Sequence, residues 1–169
     1  MTTQTEQQFA ELHCYSNFTF LKAASHPEEL VRAAFQQNYR ALAITDECSL
    51  AGVVRAWREI QTLQDNQDPR LLNQEKHNPL KLIIGASFHF NDHVFVLLAP
   101  TLAAYKELSV FISHCRRRAE KGEYVFHPED IQQHIKYSFL LIKSGEHAHE
   151  LNGFFKKLLS GTLNNAANT

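Results

Sequence analysis

Cysteine is scarce in this sequence and badly placed for cross-linking. The three present, Cys14, Cys48 and Cys115, are an odd number, lie far apart, form no C-x-x-C pair and follow no secretory leader. A disulfide frame and a zinc knuckle are thereby excluded, and reduced thiols in a soluble cytoplasmic protein are expected. No apolar run approaches the roughly 18 residues that span a bilayer, so no membrane partner is expected. A charge excess is missing too: 17 basic residues stand against 18 acidic ones, for a net charge of -1. No global field draws nucleic acid to such a chain, and any contact of that kind must be local. Finally, there is no internal repeat and no Gly-x-Gly-x-x-Gly or Walker pattern to cradle a phosphate. The 10 histidines are plentiful, but most fall in loops or on polar faces, and their number alone argues for nothing.

What is there is an alternation of strand and helix signals over 169 residues, enough for one sizeable core. The most informative stretch is Ala41 to Gly52. Its small and branched apolar residues suit a strand covered on both faces, and two acids, Asp46 and Glu47, stand at the strand's carboxyl end, where α/β folds collect ligands. Ser49 is placed to cap a helix whose Leu50, Val53, Val54, Trp57 and Ile60 share one face at helical spacing. Packing explains Trp57 and its apolar neighbours, and a helix cap or dipole partner is the structural alternative for the acids.

Around that corner the chain reads in order. Residues 1–8 are a polar, disordered leader. Phe9 to Tyr15 alternates as a strand that sends His13 and Tyr15 to the same side. Ser25-His26-Pro27-Glu28 is a capping box that opens a helix over about 26–38, with Leu30, Val31, Ala34 and Phe35 inward. Residues 64–79 form an exposed loop insertion. Lys81 to Phe90 and His93 to Leu98 flank Asn91-Asp92 as a hairpin. A long helix over about 102–121 carries Leu108, Phe111, Ile112 and Cys115 on one face, has Arg116 to Arg118 near its end and stops at Gly122. The arginines suit the helix dipole, with a phosphate-backbone contact as the alternative. Pro128 opens a short helix, Tyr137 to Ile142 is a buried strand, Ser144 to Leu159 is amphipathic, and residues 161–169 are a disordered tail. The pattern predicts an α/β fold with mainly parallel strands and one β-hairpin.

Three runs carry a resemblance: Glu11 to Ser16, Ala24 to Leu30 and Tyr39 to Gly52. They resemble the amino-terminal PHP (polymerase and histidinol phosphatase) domain of bacterial DNA polymerase III α subunits, with wording closest to the error-prone, DnaE-like branch. Ile83 to Phe88, His93 to Ala99 and Arg116 to Tyr124 continue the similarity. The resemblance implies a partial PHP-type (β/α) barrel, residues 9–160 being its first part, in a replication or translesion-repair setting. The partners it implies are the polymerase core of the same protein or replication and repair proteins, with DNA only indirectly involved. Open barrel edges would favour a homo-oligomer.

Active members of the family hold clustered divalent metals and hydrolyse phosphate esters, a chemistry that needs several hard ligands and an activated water. Against that pattern this sequence is thinned. The opening His-x-His is His13-Cys14-Tyr15, the downstream aspartate is Lys22, Thr-Asp-His is Thr45-Asp46-Glu47, and the expected glutamate is Ser87. His13, Asp46, Glu47 and His93 remain as a degenerate ligand set for at most one weakly held zinc, manganese or magnesium, and no cofactor is expected. The resemblance thus implies a structural domain with a vestigial metal site. The alternative is a residual metal-dependent phosphoesterase or proofreading-type 3'-5' exonuclease.

Overall fold

The computed structural model describes residues 9–65, 79–90 and 93–142. Five strands and four helices alternate along them: β1 (Ala10–Cys14), α1 (Pro27–Gln36), β2 (Ala41–Ile44), α2 (Val53–Asp65), β3 (Lys81–Phe90), β4 (His93–Ala99), α3 (Leu102–Arg117), α4 (Pro128–His134) and β5 (Phe139–Ile142). The strands follow one another in sheet order from β1 to β5. The chain divides within β3 into two compact units, one ending at Ile84 and the other beginning at Gly85. The sequence regions 1–8, 66–78 and 143–169, which include the expected leader, most of the loop insertion, the amphipathic Ser144–Leu159 segment and the tail, lie outside the described residues, as do the turn residues Asn91 and Asp92.

In the first unit β2 is parallel to both neighbours, pairing Ala41 with Ala10 and with Lys81. All four of its residues are buried, which is the reason an unbroken apolar run was needed there. Its core joins Val31 and Ala34 of α1, Leu42 and Ile44 of β2, Ala56 and Ile60 of α2, and Leu80. Seven such side chains removed from water dominate the stability of the unit, at about 1.5–3 kcal/mol for each large one. The helices are also tied by Arg32 to Glu59 and Arg55 to Glu28.

Several sequence expectations shift here. The N-cap of α1 is His26, not Ser25: Glu29 accepts from the His26 N–H at 2.8 Å, and Pro27 holds the first position. The helix ends at Gln36 with Asn38 left-handed at φ 56. Ser49 caps no helix either. Its Oγ accepts from the Ala51 N–H within a turn, and α2 begins only at Val53. That start sets the buried stripe at Val53, Ala56 and Ile60, leaving Val54 63% and Trp57 54% exposed. Trp57 is therefore not a core residue, because the inward face of α2 passes one position to its side.

In the second unit Phe88 of β3 stacks on Phe95 of β4 and meets Phe111 of α3 and Phe126 edge-on. α3 buries Ala104, Leu108, Phe111 and Cys115, close to the expected face. It stops at Arg117, ahead of Gly122, whose φ of +99 belongs to a later turn. β5 is antiparallel to β4. It begins at Phe139 rather than Tyr137 and is not buried as expected, Phe139 being 63% exposed. Its approach is fixed by Glu107 of α3, whose carboxylate accepts the N–H groups of Lys136, Tyr137 and Ser138. No helix of the described residues is long and apolar enough to cross a membrane.

Candidate functional site

β1 and β2 are parallel and end side by side, Cys14 opposite Ile44, so the residues that follow them emerge together. Thr45 closes the seam. Its N–H donates to the Cys14 carbonyl at 2.9 Å, and its Oγ1 accepts from the Cys14 N–H at 3.0 Å. The same hydroxyl donates to the Cys14 carbonyl and lies 3.0 Å from His13 Nδ1. The His13 ring meets the Tyr15 ring edge-on at 4.7 Å, so the strand does deliver both to one side.

Asp46 follows, only 1% exposed. A buried carboxylate must be paired or hydrogen-bonded, and here the loop after β1 supplies every donor. Asp46 Oδ1 accepts from the Ser16 N–H and from Thr19 Oγ1, and Oδ2 accepts from Ser16 Oγ, each at 2.7 Å. Gly52 completes the enclosure. A Cβ there would stand 2.8 Å from Asp46 Oδ2 and 3.0 Å from Ser16 Oγ, so only glycine lets the turn before α2 approach this closely.

Glu47 lies beside the same loop. Its N–H donates to Thr19 Oγ1, and its Oε2 is 2.5 Å from Lys22 Nζ. The backbone is left-handed on both flanks of this ion pair, at Leu21 (φ 62) and Cys48 (φ 44), a conformation that L side chains adopt only when surrounding contacts hold it.

His13 lies in β1 and Asp46 and Glu47 follow β2, all in the first unit, whereas His93 is the first residue of β4 and the fully buried Ser87 lies within β3. Among the described residues no group of three or more histidines, cysteines, aspartates and glutamates is arranged to hold a metal ion. A divalent metal needs anionic oxygens or neutral nitrogens directed at one point. Here both Asp46 oxygens are engaged by chain donors and Glu47 is engaged by a lysine. These residues do not fit a metal centre.

Cys14 is not a nucleophile at neutral pH. Burial, reinforced by the negative charges of Glu11 and Asp46, pushes its thiol up to about 11, and the thiol rather than the thiolate is unreactive. Two of the three clustered arginines have local partners: Arg116 donates to the carbonyls of Gly122 and Glu123, and Arg118 to Asp130.

Sequence reasoning missed Ser16, Thr19 and Gly52, the three residues that define the surroundings of Asp46. The available signal was two small hydroxyl residues three apart, directly after a strand, where a buried acid downstream lacked a basic partner.

With this geometry in place, the chain belongs to the PHP domain family, whose model matches residues 11–166. The α/β fold, parallel through β1, β2 and β3, is that of part of a PHP-type barrel. An error-prone DNA polymerase of Hahella chejuensis is 48% identical over 155 residues, covering 92% of this chain and 14% of that protein. An error-prone DNA polymerase of Methylococcus capsulatus is 50% identical over 125 residues, 73% of this chain and 10% of that protein. The chain therefore spans only a small fraction of the length of these relatives. Among solved structures, it is similar to an amidohydrolase from Chromobacterium violaceum, 19% identical over 64% of this chain and 33% of that one, with a TM-score of 0.43.

Proposed function

We propose that residues 9–160 are a structural, non-hydrolytic PHP segment of an error-prone DNA polymerase, acting in replication or translesion repair in the cytoplasm. The observation that carries this is the enclosure of Asp46, which accepts three hydrogen bonds from Ser16 and Thr19. A buried carboxylate that holds three donors of its own chain is oriented by the loop that encloses it, and turning it toward a metal would weaken those bonds. The identity to error-prone polymerases supports the setting. The partner in this reading is the polymerase core, and DNA is reached only through it. Lys22 and Glu47 replace what would be ligand positions by an internal ion pair, so the site is a vestige of a metal centre.

Metal analysis of chain purified without chelator, together with hydrolysis of a generic phosphate ester with and without manganese, tests this. Metal far below one equivalent and no hydrolysis are expected. One equivalent of metal with activity abolished in Asp46→Ala would establish the phosphoesterase instead. Self-association through sheet edges is a separate question, decided by light scattering across concentrations.

A further inference from the structure

The two acids of the corner share a consequence outside chemistry. Asp46 fixes Thr19, and Glu47 fixes Lys22. Between those two anchors stand Phe20, 80% exposed, and Leu21, 106% exposed. The turn is tightened further by its own backbone, since the N–H groups of Lys22 and Ala23 both donate to the Thr19 carbonyl. Two large apolar side chains are thus held outward on a short, doubly anchored tip, with Leu21 in a left-handed conformation at φ 62. A surface turn under no other demand would carry glycine or asparagine at such a position and polar residues beside it. Exposure and strain together mark a surface made to be covered.

We propose that Phe20 and Leu21 are a docking tip that inserts into an apolar pocket on the polymerase region accompanying this domain; this rests on the structural reading above. Two arguments select that occupant. The Hahella chejuensis relative matches 92% of this chain, yet the match is 14% of that protein, so most of such a polypeptide is other structure tethered to the domain. A second copy of the chain is the poorer choice. Two side chains supply only a few hundred Å² between them, well short of the roughly 800 Å² per partner that a stable interface takes. A tethered pocket needs no such area, because linkage makes docking intramolecular.

The test replaces the matching region of the Hahella chejuensis polymerase by this chain, with p-benzoylphenylalanine in place of Phe20, and maps photo-crosslinks by mass spectrometry. Crosslinks to peptides outside the graft are expected. Crosslinks confined to residues 1–169, links between two copies, or none at all would overturn the tip. DNA synthesis by the unlabelled chimera reports separately on the structural reading, which fails if the chimera is inactive while the parent is active. A second measurement uses Leu21→Gly. Relief of the left-handed strain should raise the melting temperature of the isolated chain by about 3 °C and lower that of the chimera. A rise in both would also overturn the proposal.

Discussion

Lys22 Nζ and Glu47 Oε2 stand 2.5 Å apart, joining a turn after β1 to the corner after β2 across 25 residues of chain. The lysine is 46% exposed, so water and salt screen the pair and its stabilisation is only about 0–1 kcal/mol. Its effect on ligands is larger, since an ammonium already neutralises the carboxylate that a cation would seek. Manganese or zinc should therefore leave the melting temperature of the chain unchanged relative to EDTA. A metal present at a hundred times its dissociation constant would add about 2.7 kcal/mol to stability, a shift that differential scanning fluorimetry reads easily.

Asp46 is the most demanding residue of the first unit. Asp46→Ala would leave the Ser16 N–H, Ser16 Oγ and Thr19 Oγ1 without their acceptor in a buried place, at a cost of about 3 kcal/mol or more. Asp46→Asn should cost less but remain destabilising, because one oxygen cannot replace two. Gly52→Ala is expected to cost about 1–3 kcal/mol, since the added methyl meets Asp46 Oδ2 and Ser16 Oγ, which are held by their mutual hydrogen bond. Urea denaturation, with the midpoint falling at constant slope, measures all three.

A gain is expected at the end of α1. The Tyr39 N–H donates to the Ala34 carbonyl and the Asn38 N–H to that of Phe35, a Schellman closure with Asn38 at the left-handed position. Asparagine tolerates that conformation and glycine adopts it freely. Asn38→Gly should stabilise the chain by up to about 1 kcal/mol, visible as a rise in melting temperature; a fall would show that the asparagine side chain matters more than its backbone.

How much of this was legible in the sequence follows from the range of each interaction. β2 and the acids after it were readable because burial on both faces demands an apolar run and the corner follows directly. The start of α1 was misplaced by one residue because Ser25 and His26 both precede an acid at capping distance, and the choice depends on where Pro27 sits. Trp57 differs because the inward stripe of α2 runs through Val53, Ala56 and Ile60, and the small Ala56 takes the buried position beside it. Asp46 itself was found, but its partners Ser16 and Thr19 lie 30 and 27 residues away, and no local pattern connects them. The donors that hold Asp46 are a tertiary feature, set by how β1 and β2 end side by side.

Cys14 gives a direct kinetic check on its surroundings. Burial, with Glu11 and Asp46 adding to it, raises its thiol to about 11. The folded value lies above that of the unfolded chain, so the neutral thiol favours the fold below the ordinary cysteine range, and that contribution is lost as pH rises from about 9 toward 11. Alkylation of Cys14 by iodoacetamide in the native chain should accordingly climb near pH 11 rather than near 8.5, followed by peptide mapping. A mid-slope near pH 8.5 would mean that the site is open to water.

Asp130 should dominate the acid limb of the second unit. It is 4% exposed, and burial alone would raise its carboxyl. The His127 N–H, Arg118 and His114 outweigh that effect and hold it below the ordinary aspartate range. Because the folded value is the lower one, the unfolded chain takes up the proton first as pH falls. The contribution is therefore complete above the unfolded value of about 3.9 and disappears as pH drops through the folded one. Asp130→Asn keeps the shape but removes the charge, and should cost about 1–3 kcal/mol at pH 7. The substitution should also flatten the loss of stability below about pH 4. Urea midpoints of both proteins between pH 7 and pH 2 provide the check: curves that stay parallel to the lowest pH would show that Asp130 is not the titrating group.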